Sequence, residues 1–227
     1  MTNARRRAPR GSGEALRGQI LAAARTLLAE TGDAEAVSIR AVAEAVGVTP
    51  PSIYLHFADK GALLTAVVAD LFTQLGNRMD DVDRTAGPME QLCQQGMAYI
   101  AFALESPEHY RLATMSRQHG LGPIDEVLRT SAFATFAETV QACMSDGIFR
   151  TGDPVPVALQ LWAAAHGIAS LLITKPDLPW GDKTEFANHA LGAAAVGLAV
   201  VERMAEPTPT AATTWLHAWD EQARKED

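Results

Sequence analysis

The sequence has little of what several protein classes require. Its two cysteines, Cys93 and Cys143, form no CxxC pair and have no metal-ligand spacing, so reduced core thiols of a cytosolic protein are expected. The longest apolar stretch, near 191–201, is shorter than the roughly 20 residues of a membrane span, so no membrane span is predicted. No apolar segment follows the basic N-terminus, so no secretory signal is predicted. HExxH, P-loop, GxSxG and GxGxxG motifs are absent as well, and no catalytic residue, metal ligand or cofactor is expected.

Basic residues are also scarce. The 227 residues include 19 Lys and Arg against 27 Asp and Glu, a formal net charge of -8. Because phosphate contacts require clustered Lys and Arg, the whole-chain balance argues against a nucleic-acid binder. The charge is uneven, however: residues 1–60 carry eight basic and six acidic residues, and residues 61–227 carry eleven and twenty-one. A basic N-terminal part is thus followed by an acidic remainder.

What the sequence does contain is helical periodicity. From Glu14 onward apolar residues recur every three or four positions, whereas no stretch alternates with the period of two that strands show. We therefore predict an all-α fold of about ten helices, separated by turns that contain Gly, Pro and Ser. The predicted helices cover 14–31, 39–46, 50–56, 60–79, 88–105, a short segment from Pro107, 123–146, 154–174, 183–205 and 213–225.

The most specific pattern lies in residues 38–60, where two short predicted helices are joined by the tight turn 47–49. This is the spacing of a helix-turn-helix. Ser38 is expected to cap the first helix, and Pro50 to occupy the first position of the second, where a missing N–H costs nothing. The core shared by the two helices is expected to consist of Val42, Ala43, Val46, Val48 and Ile53.

This stretch resembles the DNA-binding domain of the TetR family of bacterial transcriptional repressors. In that family the helix-turn-helix ends in Tyr-x-His-Phe with a Lys two or three residues later, and Tyr54, His56, Phe57 and Lys60 match the pattern. The resemblance covers residues 14–75. It implies a three-helix DNA-binding domain (14–58), preceded by a basic disordered arm (1–13) and followed by a larger helical domain for ligand binding and dimerisation (59–227).

The second helix of the motif is expected to face DNA. Lys60, at a helix N-terminus, is expected to bind a phosphate, and Tyr54 and His56 to donate to phosphate oxygens, with a helix-end cap as the alternative role of His56. The N-terminal arginines resemble arms that enter a minor groove, with a solvated tail as the alternative. Phe57 is expected in the core. The predicted DNA-binding residues are Arg5, Arg6, Arg7, Ser38, Arg40, Thr49, Pro51, Ser52, Tyr54, His56 and Lys60.

The C-terminal part contains two apolar helices with many small residues. In TetR-like proteins the corresponding helices form a four-helix bundle with their twofold mates, so the resemblance implies a homodimer through 154–174 and 183–205. The alternative for 183–205 is a core helix within one chain. The expected interface residues are Gly167, Leu171, Leu191, Ala194, Ala195 and Leu198.

An effector cavity is expected among the middle helices, by analogy with the family. Trp162 and His166, followed by Gly167, lie on one helix face and resemble a motif of one TetR subgroup; they either pack in the core or line this cavity. The default ligand is an apolar or aromatic small molecule. The candidate lining residues, each also compatible with core packing, are Tyr99, Phe102, Tyr110, Met115, His119, Phe136, Trp162 and His166.

The expected function is that of a homodimeric, cytoplasmic repressor that binds a pseudo-palindromic DNA operator and leaves it when a small effector binds. Two alternatives stay open. One is a transcriptional activator of the same architecture. The other is a helical small-molecule carrier or enzyme in which the N-terminal motif is a structural subdomain, although the sequence contains no nucleophile–base pair for an enzyme.

Overall fold

The computed structural model describes residues 12–115, 132–204 and 208–226, and these form ten α-helices and no strand. The all-α prediction is thereby confirmed. Arg5, Arg6, Arg7, His119 and segment 123–131 of a predicted helix lie outside the described residues, as does the side chain of Met115. The helices are α1 (Ser12–Thr31), α2 (Ile39–Val46), α3 (Pro50–Tyr54), α4 (Lys60–Asp80), α5 (Pro88–Glu105), α6 (Pro107–Met115), α7 (Ala132–Ser145), α8 (Pro154–Thr174), α9 (Lys183–Val201) and α10 (Pro209–Glu226).

Two helix ends near the C-terminus differ from the predicted bounds. Helix α9 ends at Val201 instead of 205, where Arg203 turns back and donates from Nη1 to the carbonyl of Ala199 at 2.7 Å. Helix α10 begins at Pro209 instead of 213, because the Thr208 hydroxyl accepts from the Ala211 N–H at 3.2 Å and caps the new start. Side-chain capping of this kind leaves no periodic apolar signal in the sequence.

The chain divides into two compact units, and the division passes through α4. Unit 1 contains α1 to α3, α4 as far as Gln74, and α6; unit 2 contains α4 from Leu75, then α5 and α7 to α10. The expected boundary at residue 58 lies earlier. A sequence boundary drawn at a turn does not reveal that the first half of a long helix packs with the preceding domain.

Unit 1 is held by an apolar core and by polar links between its helices. Arg25 of α1 donates from Nη1 to Asp70 Oδ2 of α4 at 2.9 Å, and its backbone carbonyl accepts from Nε2 of the buried His109 of α6 at 3.0 Å. These bonds place α4 and α6 against the same turn of α1. The buried apolar side chains include Ile20, Ala24, Leu28, Val42, Ile53, Phe57, Leu63 and Val67.

Unit 2 is built around α5, α8 and α9. Helix α8 packs against both α7 and α9, and α8 and α9 begin at Asp153 and Asp182, whose carboxylates accept from backbone N–H groups of the first turn. In α9 the buried residues recur every four positions, which defines the face turned toward the protomer core. They are Ala187, Leu191, Ala195 and Ala199.

Helices α8 and α9 are also long and apolar enough to cross a membrane, by length and composition alone. Core helices of soluble proteins meet the same criterion. Two such helices are therefore only weak support for a membrane protein.

Candidate functional site

The helix-turn-helix expected from residues 38–60 is present. The Ser38 hydroxyl accepts from the Ala41 N–H at 3.1 Å and starts α2, which ends at Gly47 with a left-handed backbone (φ 76°, ψ 30°). Glycine adopts this conformation without the strain that a Cβ brings. The N–H of Val48 then donates to the carbonyl of Ala43 at 2.9 Å, which closes the turn before α3.

Helix α3 presents a short exposed surface on a buried base. Ile53 is fully buried and Phe57 nearly so, as expected, and Arg17 stacks its guanidinium 5.1 Å from the Phe57 ring centre. On the opposite side Tyr54 is 54% exposed, and Leu55 is 83% exposed. The remaining expected contact residues of this surface are exposed (Arg40, Thr49, Pro51) or half-buried (Ser52, His56).

Leu55 is a surface residue that the sequence reasoning did not select. It lies between two expected contact residues, and an apolar side chain so exposed at the tip of the motif is suited to contact sugars or the thymine methyl group. The sequence offered one indication that Leu55 is exposed, namely its position between Tyr54 and His56. Ile53 and Phe57 occupy the core side of this turn, so the residue between them points outward.

Lys60 begins α4, as expected, but its ammonium group is already engaged. Nζ donates to the backbone carbonyl of Glu35 and to Glu35 Oε2, both at 3.1 Å. Glu35 lies in the turn between α1 and α2 and was not among the expected site residues. Sequence patterns do not reveal this pair, because the two residues are 25 positions apart.

A second group of expected residues meets inside unit 2. Tyr99 Oη of α5 and His166 Nδ1 of α8 are hydrogen-bonded at 3.1 Å, and the Trp162 ring lies 5.7 Å from the His166 ring, centre to centre. Burial lowers the pKa of His166, which favours the neutral imidazole. Phe133 of α7 meets the Trp162 ring edge to face, with the ring centres 6.4 Å apart.

Other expected lining residues are placed differently. Phe102 and Phe136 are buried in unit 2, and the Arg78 guanidinium lies 5.5 Å from the Phe102 ring centre. Tyr110 is buried in unit 1. Gln95, one helical turn before Tyr99, is a residue that sequence reasoning missed: its Oε1 is buried without a hydrogen-bond partner among the described residues, while Nε2 donates to the Met79 carbonyl at 3.5 Å.

The residues expected at a subunit interface fall on different faces. Leu191 and Ala195 are buried within the protomer, so they are not available to a partner, contrary to the expectation. Leu171 is 49% exposed, and Gly167, Ala194 and Leu198 are half-buried. The large apolar side chains of α8 and α9 that are exposed are Val155, Leu159, Leu171, Val196 and Val201.

No cluster of three or more His, Cys, Asp or Glu side chains suited to a metal ion occurs in the described ranges. Both cysteines are free, and burial raises the pKa of each thiol, that of Cys143 to about 11.

Family comparisons agree with this geometry. A sequence model described as bacterial regulatory proteins of the tetR family matches residues 20–67, and a model of the tetracyclin repressor-like C-terminal domain matches residues 92–194. The chain belongs to the TetR family. The first match includes the helix-turn-helix of unit 1 and confirms the resemblance found in residues 14–75. The second match runs from within α5 to within α9 and extends the resemblance to the C-terminal part of the chain.

A curated relative of this TetR-family chain matches only part of it. It is 35% identical over 95 residues to the HTH-type transcriptional repressor KstR2 of Mycobacterium tuberculosis, a match of 41% of this chain and 45% of that protein. The match thus spans less than half of the curated relative's length.

Solved structures of other proteins share the fold. A protein of unknown function from Rhodococcus sp. RHA1 has a TM-score of 0.69 and 23% identity, covering 87% of this chain and all of that one. RolR in complex with resorcinol has a TM-score of 0.60 and 21% identity, covering 83% of this chain and 94% of that one. At these identities the likeness concerns the fold alone.

Proposed function

We propose that this TetR-family regulator is a homodimeric transcriptional repressor. In this proposal each protomer places α3 in the major groove of one half-site of a pseudo-palindromic operator, and a small apolar or aromatic effector bound in unit 2 releases the DNA. The observation that carries the proposal is the exposed α3 tip, in which Tyr54 and Leu55 project from a base fixed by Ile53 and Phe57. The relative KstR2, whose name describes a repressor, favours repression over activation.

The DNA contacts divide by chemistry. Tyr54, His56 and Lys60 are proposed to bind phosphate oxygens and so to position the motif without reading sequence. Thr49, Ser52 and Arg40 are proposed to reach base edges or the backbone; the Thr49 and Ser52 hydroxyls are 3.2 Å apart and form a small polar pair at the start of α3. Further contacts are proposed for Pro51, Ser38 and the arginines of the N-terminal arm.

Dimerisation is proposed through the exposed apolar side chains of α8 and α9. Five Val and Leu side chains of these two helices are exposed in the protomer, 39% to 57% of each. Burying them against a twofold mate removes apolar surface from water, the main driving force of association. A dimer also explains how a single short helix achieves operator specificity, because two recognition helices about one DNA turn apart read both half-sites.

The effector is proposed to bind near the Tyr99–His166 pair. Trp162 and Phe133 give this region an aromatic wall, and Gln95 Oε1 is a buried acceptor that a ligand hydroxyl would satisfy. RolR, which shares the fold, binds the aromatic diol resorcinol. Phenol and toluene are similar in size, so a comparison of their thermal shifts tests whether the hydroxyl contributes to binding. Phenol is expected to stabilise the protein more than toluene does. This difference is expected to be smaller in the variant Gln95→Met.

A test of the regulator starts from the purified full chain and sheared genomic DNA. The protein is expected to retain a discrete fragment and to release it with effector. The double variant Tyr54→Ala/Lys60→Ala is expected to lose that fragment while remaining dimeric, whereas Lys175→Ala, which removes the same charge from an exposed site in unit 2, retains it. Retention by the double variant would show that the DNA site is assigned wrongly.

The alternative functions give different results. A carrier or enzyme retains no discrete DNA fragment. Expression of a reporter gene placed under control of the operator, measured in the cytoplasm of cells that produce the protein, separates a repressor from an activator.

The dimer face has its own test. Val196→Glu places a charge among the proposed contacts, so light scattering is expected to give the mass of one 24.2 kDa chain instead of two. Ala142→Glu, an equally charged change on the exposed side of α7, is the control and should stay dimeric. A dimeric Val196→Glu protein would contradict the proposed face.

A further inference from the structure

The ammonium group of Lys60 is shared between two parts of Glu35 that differ in mobility. The backbone carbonyl of Glu35 belongs to a turn in which the Glu35 N–H donates to Asp33 Oδ1 at 2.8 Å and the Ala36 N–H to the Asp33 carbonyl at 3.1 Å. The Glu35 side chain is 90% exposed, and its carboxylate is held by no bond of the described residues other than the one to Lys60. The carbonyl is thus a fixed acceptor and the carboxylate a movable one.

These two acceptors leave Lys60 little capacity for DNA. An ammonium group has three donors, and Glu35 takes two of them. A phosphate that approaches Lys60 must also approach the carboxylate, whose charge has the same sign. Because the Lys60 side chain is 29% exposed while that of Glu35 is almost fully so, displacement of the carboxylate into water is the simpler rearrangement.

We propose that Glu35 competes with DNA phosphate for Lys60. The backbone carbonyl of Glu35 holds the ammonium group in position, and the carboxylate pairs with it until DNA displaces the carboxylate. Glu35 therefore weakens binding to any duplex, and it does so without affecting base reading, because a phosphate contact carries no sequence information. This inference rests on the proposed function, in which Lys60 binds a phosphate.

A double-mutant cycle tests the competition. Glu35→Gln keeps the backbone carbonyl and a side chain of the same size but removes the charge, and Lys60→Gln removes the ammonium group. Glu44→Gln, an exposed acidic residue on α2, is the matched control for loss of one negative charge near DNA. The probes are a labelled duplex containing the retained genomic fragment and a random duplex of equal length, titrated by fluorescence anisotropy over a range of KCl concentrations with the full-length protein.

Exposed ion pairs of this kind correspond to roughly 2- to 5-fold in an equilibrium constant. Glu35→Gln is expected to tighten binding by about that factor beyond the gain from Glu44→Gln, equally for both duplexes. The excess should vanish in the Lys60→Gln background, and Lys60→Gln should reduce the slope of log affinity against log salt by about 0.9. Circular dichroism verifies that all variants are folded.

Three results would overturn the inference. An equal gain from Glu35→Gln with and without Lys60 means that the carboxylate acts only as a diffuse charge. Weaker binding by Glu35→Gln means that the carboxylate orients Lys60 for DNA instead of competing with it. If the wild-type protein binds neither duplex, the proposed function itself fails, and this result is distinct because every variant then gives the same flat titration.

Discussion

Replacement of Gly96 by alanine tests which face of α9 packs inside the protomer. A Cβ at Gly96 of α5 would lie 3.0 Å from Leu191 Cδ1 and 3.4 Å from Leu191 Cδ2. Carbon atoms pack best at about 3.5 to 4.0 Å, so Leu191 has to retreat by several tenths of an ångström. Leu191 is 7% exposed and has little room for such a movement.

The magnitude follows from two opposing effects. Overpacking of this kind costs about 1 to 3 kcal/mol, and alanine in a helix interior is about 1 kcal/mol better than glycine. Gly96→Ala is therefore expected to lower the free energy of unfolding by about 1 kcal/mol. Leu191→Ala alone is expected to cost about 2 to 5 kcal/mol, but it removes the obstacle, so that in its background Gly96→Ala should stabilise by about 1 kcal/mol.

The assay is urea unfolding followed by circular dichroism, with protomer concentration held constant because dimerisation shifts apparent stability. Gly18→Ala is the matched control: this glycine lies within α1, and its added Cβ meets nothing within 4 Å. It should stabilise the protein by about 1 kcal/mol in both backgrounds. If Gly96→Ala behaves like Gly18→Ala in the wild-type protein, α5 and α9 do not meet as described, and the assignment of the exposed face of α9 fails with it.

Three further predictions concern single side chains. Ser38→Ala removes the acceptor of the Ala41 N–H and should cost about 1 kcal/mol in urea unfolding; an unchanged midpoint would contradict the capping role. Burial lowers the pKa of His166 from its ordinary 6.5, so the unfolded chain binds the proton more tightly than the folded one. The free energy of unfolding should therefore fall as the pH drops through and below 6.5. His166→Gln should flatten this decline, and equal slopes for the variant and the wild-type protein would refute the prediction. Burial raises the pKa of Cys143 to about 11, so this thiol should react with a thiol reagent only after unfolding. Labelling of the half-buried Cys93 in the native protein is compatible with the structure, whereas labelling of Cys143 there would contradict its packing.

Local features were predictable because their causes are local. The turn at Gly47, the cap at Ser38 and the buried positions Ile53 and Phe57 all depend on residues within a few positions of one another. The pattern of Tyr54, His56, Phe57 and Lys60 then identified the family, which the sequence comparisons confirm. The bounds of α8 were also predicted correctly, since Asp153 and the following prolines mark its start in the sequence.

The orientation of α9 was not predictable in the same way. Most of its residues are Ala, Gly, Val and Leu, so the helix is apolar on every side and the sequence contains no polar stripe to indicate which side faces water. The resemblance to TetR-like dimers places Leu191 and Ala195 at a subunit interface, and nothing in the sequence of α9 indicates that they pack toward the core. The packing of α9 on its neighbours distinguishes the buried face from the exposed one, as the approach of Leu191 to Gly96 on another helix shows.

The sequence by itself determined the all-α fold, the helix-turn-helix and the family, because periodicity, caps and turns act over short stretches of chain. The tertiary structure decided which side chains meet across long separations: Glu35 with Lys60 over 25 residues, and Tyr99 with His166 over 67. Such pairs depend on how whole helices pack, and a helix constrains the direction of its side chains but not the identity of its neighbours.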